Sequence, residues 1–187
     1  MPKEFNEYLD LIKDIQKNIL KYIDSNDNVE ENYQNLVEIF NDHKIFCKSS
    51  KLKIILHLIN QITKEHYRFP SMFNKISQVL RLLFNDVDKT LTVSDIYEIF
   101  KDNKKIILII IEEKLLKEQD QFIIEILRKE KFNNNLFQFF LPEFKQYIND
   151  DRIKKELTEE QINQCNKIKL LKDFEEKRRI GENDEYV

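Results

Sequence analysis

The chain contains no alanine and no tryptophan, and only one glycine and three prolines in 187 residues. Each shortage excludes something. Without alanine, helices cannot use small residues for very close approach, so their packing rests on Ile, Leu and Phe at ordinary interaxial distances. With Gly181 as the sole glycine, a glycine-rich phosphate loop and a G-x-S-x-G nucleophile elbow are both ruled out. A mechanism that brings backbone close to a ligand is disfavoured for the same reason. The two cysteines, Cys47 and Cys165, are too few and too far apart for a disulfide framework. The N-terminus begins Met-Pro-Lys-Glu-Phe-Asn-Glu, with no apolar signal region. The longest wholly apolar run, Ile106 to Ile111, is far too short to span a bilayer. The expectation is a reduced, cytoplasmic protein with no membrane span.

Charge is abundant but mixed. Charged residues are 35% of the chain, and the net charge is −3. Nucleic-acid binders usually carry a basic surplus or a segregated basic face, so no nucleic-acid partner is expected. Lys, Asn and Ile are common where Ala, Gly and Pro are scarce, a composition that reads as an AT-rich genome and not as a functional signal.

Apolar residues recur at helical spacing almost throughout. Phe5, Leu9, Ile12, Ile15 or Ile19, and Ile23 mark one face of a first helix, started by Pro2 and ended in the polar cluster Asp24 to Asn28. Val29, Tyr33, Leu36, Val37 and Phe40 mark a second. Ser49 or Ser50 is placed to cap a third containing Leu52, Ile55, Leu56, Ile59 and Ile62, stopped ahead of Pro70. Phe73, Ile76, Leu80, Leu83 and Phe84 form a fourth.

Shorter units follow. Thr92 or Ser94 caps one with Ile96, Ile99 and Phe100, Asn103 caps the run Ile106 to Ile111, and Asp120 caps Phe122 to Leu127. The run Leu136 to Leu141 is broken or kinked at Pro142, with Phe144, Tyr147 and Ile148 beyond it. A charged helix opens on a capping box of Thr158 with Gln161 and runs through Ile162, Cys165, Leu171 and Phe174. Period-2 alternation is nowhere sustained.

The fold class is therefore all-α, an array or bundle of about eight or nine mostly antiparallel helices. Residues 1–157 form a helical hairpin domain, and residues 158–187 the charged helix and the start of another. That last start is Asn183 and Asp184 as N-caps after Gly181; a chain ending on a helix start looks like a module cut from something longer. The similar strings Glu38-Ile-Phe-Asn-Asp42 and Glu98-Ile-Phe-Lys-Asp102 hint at stacked helical hairpins. A compact irregular bundle is the alternative.

Five strings carry a family resemblance: His66-Tyr-Arg-Phe-Pro70, Phe73-Asn-Lys-Ile76, Ile99-Phe-Lys-Asp-Asn-Lys-Lys-Ile-Ile-Leu108, Glu112-Glu-Lys-Leu115 and Phe174-Glu-Glu-Lys-Arg-Arg-Ile-Gly-Glu-Asn-Asp184. In this order and spacing the chain from about Leu36 to Val187 resembles the N-terminal helical domain of ankyrin-repeat proteins of trichomonad protists. The resemblance implies a helical module attached to a protein-interaction scaffold, the last string leading into degenerate and then regular ankyrin repeats. It implies no catalytic or ligand-binding residue, and the repeats' own binding surface lies outside this sequence.

Several constellations have both a functional and a bland reading. His43 and Cys47, four apart, would share a helical face as two metal ligands do, but no second close pair completes a zinc site. The bland alternative packs Cys47 as a small apolar residue and leaves His43 solvated. His57 is either a buried pH-sensitive group or a half-exposed surface histidine. His66 with Arg68 is either an anion-binding corner or a source of cations for the third helix's last carbonyls. Lys167, Lys169, Lys172, Lys177, Arg178 and Arg179 suggest a basic stripe, which Asp173, Glu175, Glu176 and Glu182 interrupt. The aromatic run Phe137 to Phe140 is an exposed partner patch or core. No catalytic residue, cofactor site, metal site or small-molecule substrate is assigned. The expected function is non-catalytic protein–protein interaction, with a purely structural cap of a repeat array as the alternative. A metal-dependent enzyme is a more distant reading.

Overall fold

The computed structural model describes residues 3–66, 72–84, 91–131 and 133–167, and these are helical with no strand. Eleven α-helices lie among the described residues, more than the eight or nine expected, because residues 134–154 divide into three short pieces.

The first four helices are long. Helix α1 (Lys3–Ile23) buries Ile15, Ile19, Tyr22 and Ile23 against α2 (Val29–Asp42), which buries Leu36 and Phe40. The rings of Tyr22 and Tyr33 meet at 5.4 Å across this pair. A single-turn 3-10 helix (Ile45–Cys47) leads to α3 (Ser49–His66). The serine cap expected there is displaced: Ser49 is already helical, and the first i to i−4 bond runs from Leu52 N–H to the Lys48 carbonyl at 3.1 Å. Helix α4 (Phe73–Phe84) sends Lys75 back to the end of α1, where its ammonium donates to the carbonyls of Ile23 (3.1 Å) and Ser25. A cation at that helix C-terminus satisfies carbonyls that the helix leaves unpaired.

Helix α5 (Val93–Phe100) begins in a capping box: Thr92 Oγ1 accepts from the Asp95 amide, and the Asp95 carboxylate accepts from the Thr92 amide, both at 3.2 Å. Helix α6 (Lys104–Glu112) is apolar around its whole circumference, and Ile106 to Ile111 are all buried. A helix of that kind must be enclosed, and α4 and α5 both pack on it. Helix α7 (Gln119–Lys129) follows, packed on α5. Its N-cap position is Glu118, without a side-chain cap; Asp120, the residue expected to cap it, lies inside the first turn and accepts from Arg152 at 2.8 Å.

Three short helices come next: α8 (Asn134–Phe139), α9 (Leu141–Tyr147) and α10 (Asp151–Lys154). Pro142 does break the apolar run, and it sits in the first turn of α9, where its missing N–H costs no bond. Helix α11 (Glu159–Lys167) opens on the Thr158 and Gln161 capping box and packs on α9. Its Cys165 lies in the same buried cluster as the earlier helices, so the core continues past residue 157. Residues 168–187, including the Gly181 stop and the Asn183 caps, lie outside the described residues.

The shortage of glycine leaves a mark on the turns. The described residues with positive φ are Asn28 (55°), Lys44 (52°) and Lys114 (49°). Lys114 holds the left-handed position that ends α6. Its amide donates to the Ile111 carbonyl (3.3 Å), and the Leu115 amide reaches the Ile110 carbonyl (3.1 Å). That pair of bonds is a Schellman ending, for which glycine is the usual residue.

One side-chain cluster fastens α3 to the turn between α5 and α6. Asn103 Nδ2 donates to Asn60 Oδ1 at 3.0 Å and to Thr63 Oγ1 at 2.9 Å, while Asn103 Oδ1 caps the Ile106 amide at 3.4 Å. Asn60 in turn donates to the Ile99 carbonyl at 3.0 Å. Asn103 and Thr63 are both buried, where a polar group without a partner is costly.

Candidate interaction surface

The apolar stripe of α1 runs beyond the core that buries it. From Ile15 onward the stripe is covered, but its first turns project Phe5, Tyr8 and Leu9 at 44, 38 and 37% exposure. These are the exposed large hydrophobic residues among those described. Burying an apolar face is the main force that makes such a helix stable, so a stripe continued uncovered from Phe5 to Leu9 is out of keeping with a face meant for water.

Beside it lies a small apolar depression of about 10 Å³. Tyr8, Leu11, Ile12 and Ile15 form one wall, and Ile45, Lys51, Ile54 and Ile55 the other. Lys51 is held in place by donating to the His43 carbonyl at 2.8 Å. The two sides differ in sign. Helix α1 carries exposed Glu4, Glu7 and Asp10, whereas exposed Lys44 and Lys48, with Lys51, lie on the segment leading into α3. The arrangement has an apolar floor, hydrophobic anchors and charged edges, which is the composition of a surface that receives another helix.

The residues singled out in the sequence are placed elsewhere. His43 ends α2 and Cys47 ends the 3-10 turn; Lys44, left-handed between them, removes the continuous helix that would have put both on one face. Both are exposed, so Cys47 is not the small packed apolar residue of the bland reading. Among the described residues no group of three His, Cys, Asp or Glu side chains is placed to hold a metal ion. His57 is exposed on α3. Arg68 and the basic string beyond Lys167 lie outside the described residues.

Phe137, Phe139 and Phe140 are core. Phe137 stacks on Phe144 at 5.3 Å, Phe139 meets Phe140 edge-on at 4.9 Å, and Phe140 lies 6.0 Å from Phe144. Cys165 is fully buried, and burial pushes its thiol up to about 11, away from the reactive thiolate form. Tyr97 donates to Glu130 at 2.5 Å; burial first, and then the carboxylate, hold its hydroxyl protonated well above the ordinary range. This pair ties α5 to the end of α7. Among the described residues no helix is long and apolar enough to cross a membrane.

The sequence reading gave Phe5 and Leu9 only as members of a helix face. Their exposure follows from where the partner helices stop, which no local pattern encodes. Comparison with protein-family models, with curated proteins and with solved structures finds no match to this chain.

Proposed function

We propose that this chain is a non-catalytic protein-interaction module that receives an amphipathic helix of a partner protein along the exposed start of α1. The observation that carries the reading is the uncovered strip of Phe5, Tyr8 and Leu9. The strip, with Lys44, Lys48 and Lys51 near it, favours an occupant with apolar residues on one face and carboxylates toward the lysines. The resemblance to the helical domain of ankyrin-repeat scaffolds belongs to the same proposal. In such a scaffold the module would precede the repeats in a cytoplasmic protein.

The structural-cap reading uses the same strip differently, since terminal units of a repeat array cover their neighbours' apolar faces. A photo-crosslinking residue placed at Tyr8, with a second placement at exposed Gln121 as control, separates the two. The module reading expects a discrete partner joined from position 8, absent from position 121, and lost in a Phe5→Ser, Leu9→Ser variant that keeps its helical circular dichroism. A product of twice this chain's mass would replace the partner with a second copy. No protein product from position 8 would overturn the module reading and leave the cap.

A further inference from the structure

A second feature of the molecule, far in sequence from the α1 strip, is an open cavity of about 490 Å³. Three separate segments meet there: the last turns of α3, the turn from α5 into α6, and the start of α8. Its volume is in the range of small-molecule sites. Its lining is not that of an apolar pocket, since Leu136 is its single aliphatic contributor.

Charge dominates the lining. Four of the lining residues are lysines, Lys64, Lys101, Lys104 and Lys105, and two are acids, Glu65 and Asp102. With Glu98, whose carboxylate pairs with Lys101, counted among them, the local sum is +1 in a chain whose net charge is −3. The lysines come from different segments, and their backbones are fixed relative to one another. The Asn103, Asn60 and Thr63 cluster locks α3 to the turn that bears Lys101, and the Asn103 amide closes that turn on the Phe100 carbonyl at 2.8 Å. Lys104 Nζ sits over the Phe139 ring, 4.6 Å from its centroid. Lys101 shares its ammonium with Glu98 at 3.0 Å, an exposed pair that a stronger anion can displace.

We infer that this cavity binds a small organic polyphosphate. Glu65, Asp102 and, through Lys101, Glu98 compete for the four lysines, so a ligand with several negative charges gains more from the site than a monoanion does. Lysine is a compact point charge that suits phosphate without imposing the planar two-pronged geometry that arginine imposes on carboxylates. The lysines, one from α3 and three from residues 101–105, line a single open hollow of about 490 Å³, which favours a small ligand over a nucleic-acid strand. The opposing factor is the C-terminal end of α3, whose carbonyls repel anions; Lys64 lies in that last turn and offsets them.

Titration calorimetry with inositol hexakisphosphate as the soluble probe tests this, alongside flotation with phosphatidylcholine vesicles with and without phosphatidylinositol bisphosphate. The test variant is Lys64→Glu with Lys101→Glu, both exposed positions. The control variant is Lys13→Glu with Lys17→Glu, exposed on α1, which changes net charge equally. The wild-type chain should bind the soluble probe with an affinity that falls as salt rises. The test variant should bind it about tenfold or more weakly, and the control should match the wild type. Binding to the phosphoinositide vesicles alone, abolished in the test variant only, would assign the phosphates to a lipid headgroup. If reversal lowers the melting temperature, Lys64→Gln with Lys101→Gln poses the same question. Absence of binding to either probe, or equal weakening in test and control variants, would overturn the inference.

Discussion

Replacing Asn103 with alanine tests the polar tie at the centre of the fold. Three bonds are lost together: the cap on Ile106 and the two donations to Asn60 and Thr63. Loss of an N-cap costs ~1 kcal/mol. The two acceptors left without a donor add roughly 0.5–1.5 kcal/mol each, the Thr63 oxygen toward the upper end because it is buried. The sum is about 2–4 kcal/mol, which in a chain of this size corresponds to a fall of roughly 5–15 °C in Tm. The matched control is Asn133→Ala. Asn133 caps α8 through the Leu136 amide at 3.0 Å, but it is exposed and its amide reaches only Glu130, at 3.4 Å. It should cost about 1 kcal/mol, the cap alone. Urea unfolding followed by circular dichroism gives both values. If the two variants lose the same stability, the buried tie contributes nothing and the reasoning about α3 and the α5–α6 turn is wrong.

Four other outcomes follow from the same physics. Ile110→Asp places a charge at a fully buried position of α6 and should cost several kcal/mol, on the order of 4 or more; an unchanged thermal transition would mean that α6 is not core. Lys114→Gly should raise stability by up to ~1 kcal/mol, because the left-handed residue of the Schellman ending loses its Cβ clash; a loss in chemical denaturation would refute that account. With a thiol reagent, Cys47 should react at once and Cys165 only at the rate of unfolding, as exposure, burial and the raised thiol value require. Asp95 has its carboxyl held below the ordinary range, chiefly by the Thr92 amide. Its contribution is therefore present above the unfolded carboxylate pKa near ~3.9 and is lost as pH falls through its lower folded value. Asp95→Asn should flatten the acid limb of stability against pH, and an unchanged limb would exclude the capping box from it.

Local features were legible in the sequence because their causes are local. The helical period of Phe73, Ile76, Leu80, Leu83 and Phe84 lies within α4, and Thr92, offered with Ser94, and Asn103 and Thr158 cap the helices that follow them. A side chain that bonds three residues away needs nothing from the rest of the chain. Features that depend on distant residues were not legible. Asp120 has the chemistry of a cap, yet Arg152 holds it. Cys47 sits on a turn bent by Lys44, so it faces water. Whether Phe137 to Phe140 face solvent or core was open until α9 supplied Phe144.

Residue preferences alone make this protein helical, place several of its N-caps and leave its turns without glycine. These follow from residue preferences and hydrogen bonds within a few positions. Only the tertiary structure decided which apolar stripe would stay uncovered and which lysines would meet. Phe5 and Leu9 are exposed because the helices that cover Ile15 and Ile19 do not extend so far. The cavity exists because residues 63–65, 101–105 and 136, remote along the chain, converge when α3 is fastened to the α5–α6 turn. Both outcomes depend on where packed elements end in space, a property of the assembled core that no short stretch of sequence encodes.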